Sequence, residues 1–511
     1  MTDAAAARLD LRLVPAAATA WAVTAAGITW TVGPLLAVVC AAVGLGWAAL
    51  TRWCGEARPA LRAAAVAVIG ASLVGAGFAL AVTMRSAAVR EHPIAQRFGT
   101  VAMVTVTPGE DPRPLGSGRL MFRATLAQLD GTDMPGGVVV FAPVLAFGEL
   151  MAGQPARFKA RIARPARHDL SVAVLNATGE PTLGRASPLQ RAARAVRARF
   201  ATVARDVLPA DQAAILPGLV LGDTSTVSAS TTAQFRTAGL THLTAVSGAN
   251  VTIVCGTVLL SAAIIGPRAA AGLAAVALLA FVVVVQPTAS VLRAAVMGAI
   301  ALMAIVSARR RRAIPVLAAA VLGLLILAPQ LAVDAGFALS VSATAALVVL
   351  APGWAARLIA HGWPKPLAEA VCIALAAQLV TAPLVAAISG RLSVVGVLAN
   401  LAVAVVIPPI TVLGTAAAAV CWLMPPAAGL LIRFTGAELW WLLRVASVAA
   451  EMPGAAVSVP SGLAGVVTVA GTTLAAVLVW RWVKVGVGRC RPVVKRSCRE
   501  RDGGRPASGP G

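Results

Sequence analysis

The chain has 511 residues, of which 59% are hydrophobic and only 12% charged, with a mean hydropathy of +0.85. Soluble domains carry about 25% charged residues, so an ordinary soluble globular protein is excluded and several membrane spans are expected. The remaining charge is one-signed, 43 Lys and Arg against 20 Asp and Glu for a net +23. Cytoplasmic loops of membrane proteins carry such an excess whatever the protein does, and a route for a polyanion would add to it.

Arg8 and Arg12 precede the first apolar run, but no Ala-x-Ala site leads into a polar domain, so this start reads as a retained span rather than a signal peptide. Three apolar runs near 14–31, 33–51 and 63–84 each approach the roughly 20 residues a span requires. Arg52, Arg58 and Arg62 lie between the second and third; the positive-inside rule puts that loop and the N-terminus in the cytoplasm. Residues 1–86 are therefore expected to be N-terminal transmembrane helices, with the third leading out of the cell.

Over residues 87–186 the period changes. Runs such as 100-TVAMVTVT-107, 119-RLMFRATLAQL-129, 137-GVVVFAP-143, 156-ARFKARIA-163 and 170-LSVAVLN-176 alternate at period two, with Gly, Pro and Asp clusters between them. That pattern predicts an extracytoplasmic β-barrel of about five strands. Its eleven basic residues against eight acidic between Ser86 and Arg185 give no strong nucleic-acid footprint.

Residues 187–208 form an amphipathic helix. Val196, Phe200, Val203 and Val207 share one face, and Arg191, Arg194, Arg197 and Arg205 gather on the other. The pattern fits either an interfacial helix on the outer leaflet or a helix packing two domains together.

Residues 209–485 return to apolar runs, bringing the expected total to about twelve transmembrane helices. Residues 393–424 read as two short segments broken at Pro408-Pro409, and 427–450 as a surface helix. Arg309 to Arg312, the Arg357/His361/Lys365 loop and the 481–511 tail (nine basic residues against two acidic) all fall on the cytoplasmic side. Residues 486–511 read as a basic disordered tail that ends, like the N-terminus, inside.

Polar residues in apolar surroundings mark function by default, and the densest stretch is 216–254. It places Asp223, His242, Ser247, Gly248 and Asn250 at or just inside the outer mouth of a span. Ser247-Gly248 would permit a broken helix of the kind that lines aqueous cavities. A membrane hydrolase using His242, Ser247 and Asp223 is a competing reading, although no G-x-S-x-G elbow occurs. The seven scattered cysteines and four separated histidines support neither zinc nor a disulfide framework, and no cofactor is expected.

The run GLVLGDTSTVSASTTAQFRTAGLTHLTAVSGANV resembles the opening of the competence domain of ComEC-type DNA-uptake channel proteins. The likeness continues in order through 290-SVLRAAVMGAIALMA-304, 328-APQLAVDAGFALSVSATAAL-347, 377-AQLVTAPLVAAISGRLSVVGVLANLAV-403 and 450-AEMPGAAVSVPSG-462. It implies an inner-membrane channel passing single-stranded DNA into the cytoplasm, an OB-type fold for the barrel, and residues 209–485 as the channel domain. Carried over residue by residue, it implies a polar lining of His242, Ser247, Gly248 and Asn250 at the mouth and Arg293, Asp334, Ser340, Gln378 and Asn400 deeper. Conduction needs a wet path without tight binding. Bland roles stand beside these: an Arg293–Asp334 ion pair, Gln378 and Asn400 as interhelical hydrogen-bond partners, and a turn at Asp223.

Many such proteins end in a metallo-β-lactamase-like nuclease. No His-x-His-x-Asp-His motif occurs here, so the chain reads as a form lacking that domain, and not as an enzyme. No Walker motif is present either. The expected partners are single-stranded DNA, membrane lipid, a DNA receptor, a separate nuclease and a cytoplasmic ATP-driven motor. A small-solute permease is the alternative on a similar scaffold; no inverted repeat between the halves supports it.

Overall fold

The computed structural model describes residues 10–53, 59–116, 118–167, 169–244, 248–285, 289–306 and 313–489. The chain divides into two compact units, one of residues 1–381 with 392–457 and one of residues 382–391 with 458–511.

The Ala-rich N-terminal runs form α1 (Val14–Trp30), α2 (Gly33–Trp53) and α3 (Pro59–Arg90), close to the expected bounds. α1 and α2 pack on α3. Trp21 of α1 donates its indole N–H to the Ala332 carbonyl at 2.8 Å and sets its ring edge-on to Phe337, 5.2 Å away. The N-terminal helices thus pack into the same core as residues more than 300 positions later.

The alternating segment forms β1 (Val101–Pro108), β2 (Arg113–Gly116), β3 (Arg119–Leu129), β4 (Thr132–Pro143), the single-turn α4 (Val144–Phe147), β5 (Ala156–Ala163) and β6 (Ala173–Leu183). The strand order β1-β5-β6-β4-β3 closes through a β1–β3 pairing into a five-stranded barrel, with β2 added beside β3. β4 and β6 run parallel and the other pairs antiparallel. Strict alternation on β5 buries Ala156, Phe158, Ala160 and Ile162 and turns Arg157, Lys159 and Arg161 outward. Phe122, Phe147 and Phe158 fill the interior. Of the dividing cluster 130–137 only two residues form the hairpin turn, and the rest belongs to β4. Asp130 and Gly131 both take positive φ (49° and 84°), the geometry that Asp-Gly supplies, and β4 starts at once.

The Asp130 carboxylate accepts the Met103 N–H at 2.9 Å and pairs with Arg97. These bonds hold its pKa below the ordinary carboxylate range. A depressed carboxylate contributes stability that is complete above its unfolded pKa of about 3.9 and is lost as pH falls through the lower folded value. Asp130→Asn should therefore melt at lower temperature than the parent at neutral pH. The two melting temperatures should converge below about pH 4, and a gap that persists into acid would refute the role.

Then comes α5 (Pro188–Val207), with Pro188 at its first turn and the Ser187 hydroxyl accepting the Gln190 N–H. It packs on α6 (Ala210–Leu221) and on helices described below. Phe200 and Val203 are buried as the apolar stripe requires. Arg197 departs from the expected solvent-facing set. It is buried and donates to the Val284 carbonyl at 2.7 Å and to the Asp111 carboxylate at 3.0 Å. A helix end with unpaired carbonyls attracts a cation, and the barrel supplies the counter-charge. Arg197→Ala removes the donor to the Val284 carbonyl and the cation beside Asp111, whose other carboxylate oxygen keeps the Ala152 N–H. It should cost about 2–3 kcal/mol, read as a lower unfolding temperature and faster proteolysis between residues 183 and 188; unchanged proteolysis would count against a tether.

The helical body continues with α7 (Ala229–Thr237), α8 (Gly248–Ser261), α9 (Pro267–Val285), α10 (Ala289–Val306), α11 (Ala313–Leu327), α12 (Ala335–Val349), α13 (Ala351–Ala360) and α14 (Lys365–Ser389). β7 (Arg391–Ser393), α15 (Gly396–Val403), α16 (Ile407–Val420), α17 (Pro425–Phe434), α18 (Gly436–Glu451), β8 (Ala456–Ser458) and α19 (Gly462–Arg489) complete the chain. α15 and α16 meet at a 54° bend, because Pro408 and Pro409 open a new helix rather than continue the old one. The segment expected as a surface helix is a pair split at buried Thr435. α18 sends Leu439, Leu442, Ala446 and Ala449 into the core, so the apolar stripe outweighed Glu438 and Arg444.

Among the described residues five helical stretches are long and apolar enough to cross a membrane, or six if the bent pair is one span. The expected count of about twelve also included runs that fold as shorter helices, such as α8 with 14 residues and α11 with 15. In the second unit the Gly390 carbonyl accepts the Val459 N–H at 3.0 Å.

Candidate functional site

Two polar clusters sit in the helical body. The first is built around Arg293 of α10, which is buried. Its Nε donates to the Ser340 hydroxyl and its Nη1 to the Thr344 hydroxyl, both at 2.8 Å, with the Met297 sulfur at 3.5 Å. Ser340 and Thr344 are one turn apart on α12 and share a face, so one helix presents both hydroxyls. Gly248 opens α8 alongside; a Cβ there would lie 3.1 Å from Arg293 Nη2. Among the described residues no carboxylate lies within 4.0 Å of this guanidinium. A buried cation held by neutral hydroxyls alone retains an uncompensated charge.

Asp334 is not the counter-ion that an Arg293–Asp334 pair would have required. Its Oδ1 caps α12 by accepting the Phe337 N–H at 2.8 Å, and its Oδ2 lies 3.9 Å from Nη1 of Arg123 on β3. Asp at an N-cap is the favoured choice for the orphan N–H groups of a helix start, and the barrel provides the nearest cation.

The second cluster surrounds Gly239, just after α7. Asn400 of α15 donates to the Gly239 carbonyl at 3.4 Å and to Gly396 at 2.8 Å. Ser393 donates to the Thr237 carbonyl at 2.8 Å, and Gln378 of α14 donates to the Ser393 carbonyl at 3.3 Å. His242 bonds to Gly239 as well. Its imidazole is surrounded by protein, which pushes its pKa below the ordinary histidine value, the Gly239 bond opposing. Its side chain also reaches solvent.

The other predicted residues lie apart. Asn250 is buried between α8 and α6, donating to the Leu219 carbonyl at 2.9 Å. Asp223 makes a turn, its Oδ1 accepting the Ser225 N–H at 3.1 Å. Ser247 lies outside the described residues. Among those described Asp223 does not bond His242, and no three His, Cys, Asp or Glu side chains group as metal ligands. Sequence reasoning missed Thr344, Ser393, Gly239 and Arg123. Only Thr344 left a signal, four residues after Ser340 in a helical run.

These features define a class: a largely helical protein with several apolar helices of membrane-crossing length, polar clusters among them and a small β-barrel attached. The Competence protein family matches residues 219–484, more than half of the chain, and the chain belongs to that family. Membership supports a role in DNA uptake in competence. No curated protein and no solved structure matches the chain.

Proposed function

We propose that this chain is an inner-membrane channel that passes single-stranded DNA into the cytoplasm during transformation. The observation that carries the reading is Arg293, a buried cation in the family-matched region with no carboxylate within 4.0 Å among the described residues. An intramembrane charge without a partner is expensive and is kept where it serves a pathway, and guanidinium is the group best shaped to meet a phosphate oxygen. Ser340 and Thr344 beside it, and Gln378, Asn400 and His242 in the second cluster, offer neutral hydrogen-bonding groups that can replace water without trapping a strand.

On this reading the apolar helices cross the membrane, both termini lie in the cytoplasm and the barrel stands outside. Counting barrel strands alone, the closed order 1-2-3-5-4 with strands 3 and 5 parallel is the arrangement of an OB fold. The channel itself breaks no covalent bond. A receptor, a nuclease and an ATP-driven motor are the partners this reading calls for.

The test is deletion of the gene followed by measurement of labelled DNA entering the cytoplasm, with complementation by the intact chain. Loss of entry restored by complementation is expected. Undiminished transformation in the deletion strain would remove the channel reading.

A further inference from the structure

A cleft of about 520 Å³ lies where the barrel meets the start of α5, lined by Met151, Gln154, Gly184, Arg185, Ala186 and Arg191. Its wall is fixed by Gln154, which is buried, accepts the Met151 N–H at 3.2 Å and donates to the Gly184 carbonyl at 2.9 Å. The two arginines are the chemistry of the cleft. Farther along α5, Arg194 pairs with Glu149 and Arg197 with Asp111. Arg185 and Arg191 are exposed, and among the described residues no carboxylate lies within 4.0 Å of either. The cleft therefore carries two positive charges that the fold leaves unneutralised, in a space large enough for a phosphate and its substituents.

We propose that this cleft binds the phosphate of an anionic phospholipid headgroup. The inference rests on the membrane part of the proposed function and not on DNA passage. Three observations select a lipid. Arg197 bonds the Val284 carbonyl at the end of α9, a 19-residue apolar helix long enough to cross a bilayer. α5 therefore crosses the level where that helix leaves the membrane. Arg191 precedes Arg197 by fewer than two turns, about 9 Å at 1.5 Å per residue, which holds the cleft near headgroup depth. Leu183 and Leu189, on either side of the cleft-lining residues 184–186, are exposed at 39% and 59%. Arginine beside bare leucine is the pairing an interface of headgroup and acyl chain accommodates. The positive end of α5 adds to the attraction.

The test is native mass spectrometry of the delipidated full-length protein in neutral detergent, titrated with phosphatidylglycerol or phosphatidylcholine. The intact chain should retain phosphatidylglycerol preferentially, and the Arg185→Gln/Arg191→Gln variant should bind it about ten-fold more weakly. Arg205→Gln, farther along α5, should bind as the parent does. Equal retention of both lipids, or a double variant that binds phosphatidylglycerol unchanged, overturns the proposal. So does a double variant that loses an oligonucleotide or inorganic phosphate while keeping the lipid. Carbonate extraction of membranes from expressing cells is read separately: a protein released by it fails the membrane reading, whereas a retained protein without lipid preference fails only this site.

Discussion

Replacing Arg293 with methionine is expected to cut DNA uptake by about 10- to 100-fold, the effect of losing one charge-assisted hydrogen bond of about 1.5–3 kcal/mol, while leaving the protein at least as stable as the parent. The two halves of this expectation come from one observation. Arg293 is buried, and its bonds go to the Ser340 and Thr344 hydroxyls and the Met297 sulfur, with no carboxylate among the described residues within reach. Burying a charge without a partner opposes folding, so an apolar chain of similar length is neutral or stabilising. If the guanidinium serves a passing phosphate, function falls as stability holds or rises, the usual trade at an active position.

Arg293→Lys separates charge from shape. Lysine keeps the cation but not the planar fork that reaches Ser340 and Thr344 together, and it should retain part of the uptake. Ser340→Ala with Thr344→Val should leave the charge but free its orientation, and is expected between the two. Uptake is measured as cytoplasmic labelled DNA, and stability as thermal exposure of buried cysteines. An Arg293→Met protein that transforms normally would remove Arg293 from the DNA path. One that unfolds would make it a structural residue.

The barrel was legible because a single physical rule governs it: inward and outward side chains alternate, and β5 obeys this at every position from Ala156 to Ile162. Its strand order and the parallel β4–β6 contact were not, since both depend on which distant strands meet. Pro408-Pro409 announced the bend before α16 because proline acts locally. Arg197 could not be placed by a helical wheel. A wheel sees only the helix's own periodicity, whereas Asp111 and the Val284 carbonyl come from 86 and 87 residues away. The same limit explains Asp334. Its proximity to Arg293 was inferred from both being charged in apolar runs, and the barrel's Arg123 lies 3.9 Å away instead. Ser340 and Arg293 do meet. Gln378, Asn400 and His242 converge too, but through backbone carbonyls at Gly239, Ser393 and Gly396, acceptors that every residue owns and no sequence pattern marks.

Gly239→Val should be a strongly disruptive substitution in the helical body. Gly239 has φ +72°, and a Cβ there would stand 3.1 Å from both the Gly396 Cα and the Ser393 side chain. The left-handed conformation alone costs a residue bearing a Cβ about 1–2 kcal/mol, most for a β-branched one. The contact then forces apart the junction at which Ser393 reaches Thr237 and Asn400 reaches Gly239. Together these predict a loss of roughly 3 kcal/mol or more, a fall in unfolding temperature of about 3 °C or more for a chain of this size. The readout is built in, because Cys255, Cys372 and Cys421 are buried and free, so a thiol-reactive dye reports opening of the body on heating. Gly256→Ala is the control: Gly256 sits within α8, and a Cβ there meets nothing within 4 Å. Alanine should raise helix stability slightly, by about 0.5–1 kcal/mol. If Gly239→Val labelled at the parent's temperature, the Gly239 junction would not be the tight contact between α7 and α15 that Asn400 and Ser393 describe. If it labelled early while uptake in surviving protein stayed normal, the His242–Asn400 cluster would be scaffold and Arg293 would carry the polar path alone.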